Sequence, residues 1–311
     1  MKPKVVVIVG PTAVGKTKLS IEIAKKFNGE IISGDSMQVY RGMDIGTAKI
    51  SREEMAGIPH YMLDIKDPDE AFSVADFKEH VQSYIAHIDS KSKLPILVGG
   101  SGLYIQAILY DYQFTNHKRD EAYTTKLEER IKLEGIAPVY EQLKRIDPEQ
   151  AKKIHPNNHR RVIRALEIYR QTGKTMSELL RDEESQKSPY DPIIIGLEMD
   201  RPLLYERINQ RVDRMLEEGL LEEVHTLYKK GYENTQAMRA IGYKEFIPYF
   251  KEEYYYTRAI ELLKRNSRRY AKRQFTWFKN KMKVDWYGIR PETINKQFQI
   301  ILQDLAGLLK D

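Results

Sequence analysis

Residues 10 to 17 read Gly10-Pro11-Thr12-Ala13-Val14-Gly15-Lys16-Thr17, and they follow directly on the apolar run Val5-Val6-Val7-Ile8-Val9. This is the pattern G-x-x-x-x-G-K-[ST] of a phosphate loop in its required context, with a buried strand before it and a helix, predicted over residues 17–27, after it. Backbone N–H groups of such a loop surround phosphate oxygens, and the helix directs its positive end at them. The segment therefore predicts a phosphate or diphosphate site in which Lys16 supplies a cation and the Thr17 hydroxyl binds Mg²⁺.

The composition is that of a folded protein that does not enter a membrane. A length of 311 residues predicts one or two domains, and 41% hydrophobic residues suffice for a full core. No run of about 18 apolar residues is present, and the first residues do not have the pattern of a signal sequence. The absence of cysteine excludes disulfides, thiolate zinc sites and cysteine nucleophiles, and it agrees with a cytoplasmic location.

Strand and helix patterns alternate in the first part of the chain. Short apolar runs predict strands over residues 5–9, 30–33, 95–99 and, much later, 192–198. Between them, helices are predicted over residues 17–27, 73–89 and 102–109, and Ser73 with Asp76 resembles a capping box at the start of the second helix. Nearly all-apolar strands separated by helices predict a parallel sheet that is covered on both faces.

Between residues 114 and 188 the strand pattern disappears. Helical patterns replace it over residues 121–134, 138–145, 148–154 and 158–171, and the last predicted strand comes only afterwards. Further helices are predicted to the end of the chain. The predicted fold is therefore α/β: a P-loop NTPase-like parallel sheet core with a helical C-terminal part, residues 1–113 and 189–311, and an inserted all-α domain, residues 114–188.

Three further segments predict site residues. Asp35 follows the second strand, at the sheet edge where ligands bind in open α/β folds, and it is either a metal ligand or general base or the side chain of an Asx-turn. Ser101 follows Gly99-Gly100 on the same edge, where it hydrogen-bonds a substrate or caps the next helix. Arg239 is a lone cation in a neutral stretch, so it needs an anionic partner, either a carboxylate or a ligand phosphate.

Positive charge is concentrated in two segments. The net charge is +6, and the basic residues cluster at 152–170 and 258–283. In the second cluster Arg265, Arg268, Arg269 and Lys272 recur at three- and four-residue spacing, which places them on one face of a helix among aromatic residues. Such a pattern fits a polyanionic partner such as RNA, although a solvated helix face has the same pattern.

Taken in order along the chain, these landmarks resemble the family of tRNA dimethylallyltransferases, also called tRNA isopentenyltransferases. The resemblance is carried by residues 10–17, Asp35-Ser36-Met37-Gln38-Val39-Tyr40, Asp44-Ile45-Gly46-Thr47-Ala48-Lys49, Gly99-Gly100-Ser101-Gly102-Leu103-Tyr104, His159-Arg160-Arg161 and Arg268-Arg269-Tyr270-Ala271-Lys272-Arg273-Gln274. The phosphate loop occurs in very many proteins, whereas the Asp35 and Asp44 segments are far more specific. Ser101 stands where the family often has threonine, and it keeps the hydroxyl.

The resemblance implies transfer of a dimethylallyl group from dimethylallyl diphosphate to N6 of the adenosine 3′-adjacent to the anticodon in tRNA. It implies that residues 10–17 hold the diphosphate, that Lys16, Arg239 and Thr17 with Mg²⁺ neutralise it, and that Asp35 is the general base. The tRNA anticodon stem-loop is the implied partner. Its implied contacts are Asp35, Ser36, Met37, Gln38, Ser101, His159, Arg160, Arg161, Val162, Ile163, Arg265, Arg268, Arg269, Lys272 and Arg273.

Two other functions share part of these features. A P-loop small-molecule kinase has the same loop and an aspartate after the second strand, but it would use ATP and needs neither the insertion nor the basic helix. An RNA-binding protein that uses a nucleotide as a switch would bind without turnover. No coiled-coil pattern or extended apolar seam is present, so we expect a monomer with no protein partner.

Overall fold

A computed structural model describes residues 2–110, 120–179 and 188–310, and these residues form two compact units. The first unit contains the described residues of Met1–Leu109 and Ser188–Asp311, and the second contains those of Tyr110–Lys187. The second unit therefore interrupts the first along the chain. The expected domain boundary between residues 113 and 114 lies outside the described residues.

A parallel β-sheet forms the centre of the first unit. Its strands are β1 (Lys4–Val9), β2 (Gly29–Ser33), β3 (His60–Tyr61), β4 (Leu94–Val98), β5 (Asp191–Glu198) and β6 (Asp285–Gly288). They lie in the order β3-β2-β4-β1-β5-β6, and each neighbouring pair is parallel. Residues 5–9 are fully buried, because β1 lies between two other strands and both faces of the sheet are covered.

Helices of the first unit come before and after the second unit in sequence. Those before it are α1 (Lys16–Phe27), α2 (Val74–Ser90) and α3 (Gly102–Leu109), and those after it are α8 (Arg201–Glu217), α9 (Leu220–Lys229), α10 (Ile247–Phe250), α11 (Tyr256–Lys281) and α12 (Ile294–Leu308). The predicted capping box of α2 is present, because the Ser73 and Asp76 side chains each accept a backbone N–H from the other residue. No helix in the described part of the chain is both long and apolar enough to cross a membrane.

The second unit is helical in its described residues. It contains α4 (Glu121–Glu134), α5 (Ala137–Ile146), α6 (Pro148–Lys153) and α7 (His159–Thr172). Apolar side chains of α4, α5 and α7 pack together in its core. Asp147 is buried there and caps the start of α6 by accepting the N–H of Gln150 at 3.0 Å, and it also accepts the N–H of Ser177 at 2.9 Å.

The predicted α/β fold class is confirmed. All four predicted strands are present, and the sheet has two more, β3 and β6, at its edges. These strands are two and four residues long, too short for a recognisable alternation of apolar and polar residues. Because the strands are parallel, the residues that follow β1, β2 and β4 lie at the same edge of the sheet, where the predicted site residues are found.

Candidate active site

The phosphate loop, residues 10–17, joins β1 to α1 through a strained turn. Ala13 and Gly15 have positive φ angles of 65° and 108°, and Gly15 precedes the first residue of α1. Gly10 lies so close to β5 that a Cβ atom there would be 2.4 Å from the carbonyl oxygen of Leu197. The Lys16 Nζ atom donates to the carbonyl oxygens of Gly10 and Pro11 at 2.9 and 2.7 Å. The Lys16 side chain therefore folds back over the phosphate loop.

Two arginines of α8 hold the phosphate loop from a distant part of the sequence. The Arg207 Nε atom donates to the Ala13 carbonyl oxygen at 3.0 Å, and the Arg211 Nη1 atom donates to the Thr12 hydroxyl at 3.2 Å. The two arginines are one helical turn apart, so they face the loop together. Their charges add to that of Lys16 at one place.

A buried glutamine of α11 supports the same loop. The Gln274 Oε1 atom accepts the N–H of Thr12 at 2.9 Å. Its Nε2 atom lies against Gly100, where a Cβ atom would approach it to 1.9 Å. Glycine at position 100 is therefore required for Gln274 to reach Thr12, and this contact links the turn after β4 to the turn after β1.

Asp35 lies at the end of β2 with its carboxylate held by the backbone. Its Oδ1 atom accepts the N–H of Met37 at 2.8 Å, and its own N–H donates to the Ser33 hydroxyl. That hydroxyl donates to Gln38 Oε1 at 2.8 Å, and Gln38 Nε2 donates to the carbonyl oxygens of Thr47 and Ala48. Asp35 thus makes the Asx-turn that the sequence left as an alternative, and the turn itself fixes the direction of the carboxylate.

Two clefts of the first unit meet at the phosphate loop. The smaller, of about 110 Å³, is lined by Asp35 together with Lys16, Thr17, Arg211 and Tyr270. The larger, of about 1320 Å³, continues from the same loop along α1 and α8. Residues that line both clefts are Lys16, Thr17, Ala48, Ile50 and Arg211. A ligand that spans this junction would contact the lysine and the arginine at once.

Burial and neighbouring charges change the proton affinity of three groups in the small cleft. Burial, with a further contribution from Arg211, lowers the pKa of Lys16 to about 7, although Asp35 partly opposes this. Burial raises the pKa of Asp35 above its usual value. Burial and the Asp35 carboxylate raise the pKa of the Tyr270 phenol to about 12. Burial therefore weakens the hold of Lys16 on its proton and makes the Asp35 carboxylate more basic, and an anion bound in the cleft would favour the charged lysine.

The site offers oxygen ligands that suit Mg²⁺. Among the described residues, no group of three His, Cys, Asp or Glu side chains is placed to hold a metal ion. The Thr17 hydroxyl and the Asp35 carboxylate nevertheless line the same cleft. Because Mg²⁺ is usually held by one or two protein oxygens, several waters and the phosphates of a substrate, this set fits the ion when a diphosphate is bound.

The structure brings some predicted site residues together and leaves others apart. Gln38 lines the small cleft with Asp35, and Ser101 directly follows Gly99 and Gly100, which line the same cleft. Ser36 and Met37 are partly buried beside Asp35. Arg239 is exposed at the end of a short 3-10 turn and lies outside the set of described residues that line the two clefts. Arg211, in contrast, lies beside the phosphate loop, where it donates to the Thr12 hydroxyl.

The basic residues of α11 do not form one exposed face. Arg269, Lys272 and Arg273 are exposed, but Arg268 is partly buried and donates to Asn209 Oδ1 at 2.6 Å. Arg265 is partly buried as well. Arg265 and Arg268 are therefore less accessible than the other three basic residues, since α11 packs against α8.

The predicted tRNA contacts of the second unit also include both exposed and buried residues. His159, Arg160 and Arg161 are exposed at the start of α7. Val162 and Ile163 are buried in the core of this unit, so their side chains are not available to RNA. The sequence prediction was wrong for these two side chains, because they lie on the apolar face of an amphipathic helix.

Sequence reasoning missed four residues that complete the site: Arg207, Arg211, Tyr270 and Gln274. A signal was present for each pair. Arg207 and Arg211, and likewise Tyr270 and Gln274, are four residues apart and share a helix face. The spacing shows which side chains lie together, but the loop that they contact is about two hundred residues away in sequence, as the Arg211 contact to Thr12 illustrates with a separation of 199.

Relatives that are similar to this chain over almost its whole length are tRNA dimethylallyltransferases. The sequence is 58% identical over 311 residues to the tRNA dimethylallyltransferase of Oceanobacillus iheyensis, covering 100% of this chain and 99% of the relative. It is also 58% identical over 309 residues to the tRNA dimethylallyltransferase of Bacillus cytotoxicus, covering 99% of this chain and 96% of the relative.

Solved structures are similar over almost the same extent. The full-length tRNA isopentenylpyrophosphate transferase of Bacillus halodurans has a TM-score of 0.75 and 50% identity, and the match covers 99% of this chain and 97% of that one. A eukaryotic dimethylallyltransferase acting on tRNA has a TM-score of 0.77 and 34% identity, with coverage of 92% and 74%. The sequence model described as IPP transferase matches residues 38–281. This chain therefore belongs to the IPP transferase family.

Proposed function

We propose that this protein transfers a dimethylallyl group from dimethylallyl diphosphate to N6 of the adenosine 3′-adjacent to the anticodon in tRNA. The N6 lone pair attacks the first carbon of the allyl group, the bond from that carbon to the diphosphate oxygen breaks, and diphosphate leaves. The proton from N6 goes to the Asp35 carboxylate. The observation that carries this proposal is the small cleft, which places Asp35 beside the cations Lys16 and Arg211.

Asp35 has the properties that a general base in this reaction needs. An adenine amine is a weak nucleophile because its lone pair is delocalised into the ring, so a group that accepts its proton during attack accelerates the reaction. The raised pKa of Asp35 makes it a stronger base than an exposed aspartate. Its hydrogen bond from Met37 N–H directs the carboxylate, and such a base contributes about 10²–10⁴-fold to a rate.

The leaving diphosphate is stabilised by the cations at the junction of the clefts. The Lys16 Nζ atom now donates to two loop carbonyl oxygens, and it would exchange these acceptors for phosphate oxygens. Arg211 already lies beside Thr12 and needs no large movement. Mg²⁺, held by Thr17 and the diphosphate, would supply further positive charge to the leaving group.

The acceptor adenosine has to leave the anticodon-loop stack before its amine can reach the allyl carbon. This costs a few kcal/mol and is cheapest in a loop. We infer that Gln38, Ser101 and Tyr270 surround the extruded base, since they lie at or next to the small cleft. The exposed residues His159, Arg160 and Arg161 of the second unit, and Arg269, Lys272 and Arg273 of the first, would contact phosphates.

The sequence has no coiled-coil pattern or extended apolar seam, so we propose that the protein works as a monomer. Because its macromolecular substrate is tRNA, we propose a cytoplasmic location.

The direct test is incorporation of labelled dimethylallyl diphosphate into an anticodon stem-loop, followed by digestion and detection of N6-modified adenosine. We expect stoichiometric incorporation that requires Mg²⁺ and releases diphosphate. Asp35→Asn should reduce the single-turnover rate by at least about 100-fold while tRNA affinity changes less than about twofold. ATP turnover with a small acceptor and no incorporation would refute the proposal.

A further inference from the structure

Glu223, on α9, makes an unusual set of hydrogen bonds to a loop far away in sequence. Its Oε2 atom accepts the N–H groups of Asp44 and Ile45 at 2.9 and 2.8 Å, and its Oε1 atom accepts the N–H of Gly46 at 3.1 Å. The Tyr243 phenol donates to Oε1 at 2.6 Å. One carboxylate therefore binds three consecutive backbone amides and a phenol, an arrangement that suits an anion.

The surroundings of this carboxylate are closely packed. Tyr243 is fully buried, and a Cβ atom on Gly46 would lie 2.5 Å from its ring. Burial together with the Glu223 charge raises the pKa of Tyr243 above its usual value, so the phenol stays a hydrogen-bond donor. Gly46 therefore has no freedom to move toward the ring, and residues 44–46 are fixed against α9.

The same loop forms the wall that the two clefts share. Ala48 and Ile50 line both clefts, and Asp44 and Ile45 line the larger one. The carbonyl oxygens of residues 47 and 48 accept both hydrogens of the Gln38 amide, and Gln38 holds the Ser33 hydroxyl that accepts the N–H of Asp35. Hydrogen bonds at both ends of the backbone segment 44–48 thus connect Glu223 to the turn that carries Asp35.

Helices α8 and α9 hold both sides of the large cleft. They are joined at Gly219, which has a φ of 99°. On one side, Arg207 and Arg211 of α8 donate to the phosphate loop. On the other side, Glu223 of α9 accepts the amides of residues 44–46. The distance between the two cleft walls is therefore set by one pair of connected helices.

We propose that Glu223 is a positioning residue for the transfer reaction: by binding residues 44–46 it fixes the shared wall of the clefts and, through Gln38, the turn that carries Asp35. The residue acts at a distance and touches no substrate. This inference rests on the proposed function, because the reaction is what the positioned groups serve. A displacement of about 1 Å in a catalytic group can reduce a rate by about 100-fold, so the effect is measurable.

Hydrogen exchange tests the contact itself, independently of activity. Glu223→Gln keeps the size of the side chain but places an NH₂ group among four donors. Hydrogen bonds to a charged acceptor are stronger than those to a neutral one, so we expect the amides of residues 44–46 to exchange at least about tenfold faster in this variant. The matched control is Glu222→Gln, the same change at the neighbouring exposed position of α9, which should leave their exchange unchanged.

Single-turnover kinetics at saturating substrates test the positioning role. We expect the rate of Glu223→Gln to fall at least about tenfold at 25 °C, with tRNA affinity within about twofold of the wild-type value and Glu222→Gln at the wild-type rate. Tyr243→Phe removes one of the four donors, so its transfer rate should lie between those of Glu223→Gln and Glu222→Gln. This variant keeps the test available if Glu223→Gln does not fold. A merely structural role would lower the melting temperature and leave the rate unchanged.

The two proposals fail in different ways. A wild-type protein that transfers the allyl group, combined with a Glu223→Gln or Tyr243→Phe variant of unchanged rate, would overturn the positioning role alone. Unchanged exchange of residues 44–46 in these variants would overturn it as well. A wild-type protein without transfer activity would refute the proposed function, and with it the role that rests on it.

Discussion

Replacing Gly100 by alanine should damage the phosphate loop through Gln274. A Cβ atom on Gly100 would lie 1.9 Å from Gln274 Nε2, so the buried amide has to move by more than about 1 Å. Because Gln274 Oε1 accepts the N–H of Thr12 at 2.9 Å, a movement of this size takes that pair beyond hydrogen-bonding distance. The backbone of Gly100 does not have a positive φ, so the alanine adds no backbone strain.

The size of the effect follows from two contributions. Overpacking costs about 1–3 kcal/mol, and a hydrogen bond that is lost contributes about 0.5–1.5 kcal/mol. We expect Gly100→Ala to lower the free energy of unfolding by about 2 kcal/mol, and Gln274→Ala to lower it by a similar amount. In the double variant the new methyl group meets no amide, so the loss should equal that of Gln274→Ala alone rather than the sum.

Urea unfolding followed by tryptophan fluorescence measures these energies, because both tryptophans, Trp277 and Trp286, belong to the first unit. Gly288→Ala is the matched control, since a Cβ atom there has no neighbour within 4 Å. The single-turnover transfer rate should fall in both single variants, because Thr12 loses its support. Additive losses in the double variant, or a Gly100→Ala protein as stable as Gly288→Ala, would refute the reasoning.

Three further results are expected. Asp35→Asn should raise the melting temperature at pH 7, although it slows transfer at least about 100-fold. Burial raises the pKa of Asp35, so its ionisation opposes folding above the unfolded-state value of about 3.9, and the gain in melting temperature should shrink as the pH falls toward about 4. Isothermal titration should show diphosphate binding about 10- to 100-fold weaker in Arg211→Gln, a loss of about 1.4–2.8 kcal/mol, with tRNA affinity unchanged; equal diphosphate affinity would remove Arg211 from the anion site. Arg160→Ala and Arg161→Ala should each reduce the slope of log tRNA affinity against log salt concentration by about 0.7–0.9 if each arginine contacts one phosphate, and an unchanged slope would contradict that contact.

The sequence was sufficient for the parts of the fold that depend on local patterns. Residues 5–9 are apolar without interruption, so a buried parallel strand is the only regular structure that suits their length and their glycine-rich continuation. The positions of Lys16, Thr17 and Asp35 at one sheet edge follow from the same reasoning, because parallel strands end on the same side. The edge strands β3 and β6 are too short to show a period.

The remaining parts of the site depend on contacts between distant segments. Arg211, Gln274 and Glu223 were not predicted, because a helix pattern shows which side chains share a face but not what that face meets. As a lone cation in a neutral stretch, Arg239 was expected to meet a carboxylate or a ligand phosphate, and the family resemblance implied the phosphate. The structure places it in a short exposed turn. Charge in the sequence therefore indicated a site, while the fold brought Arg207 and Arg211 to the phosphate loop.

The contact between Gln274 and Thr12 also limits when the protein can become active during its synthesis. The two residues are 262 positions apart, so at about 5–20 residues per second the ribosome adds Gln274 about 13–52 s after Thr12. β1, although made first, also has to wait for β5 to pair with it. Nascent chains that end before α11 would carry the complete phosphate-loop sequence without its support, so premature termination should yield products that cannot compete for the allylic substrate.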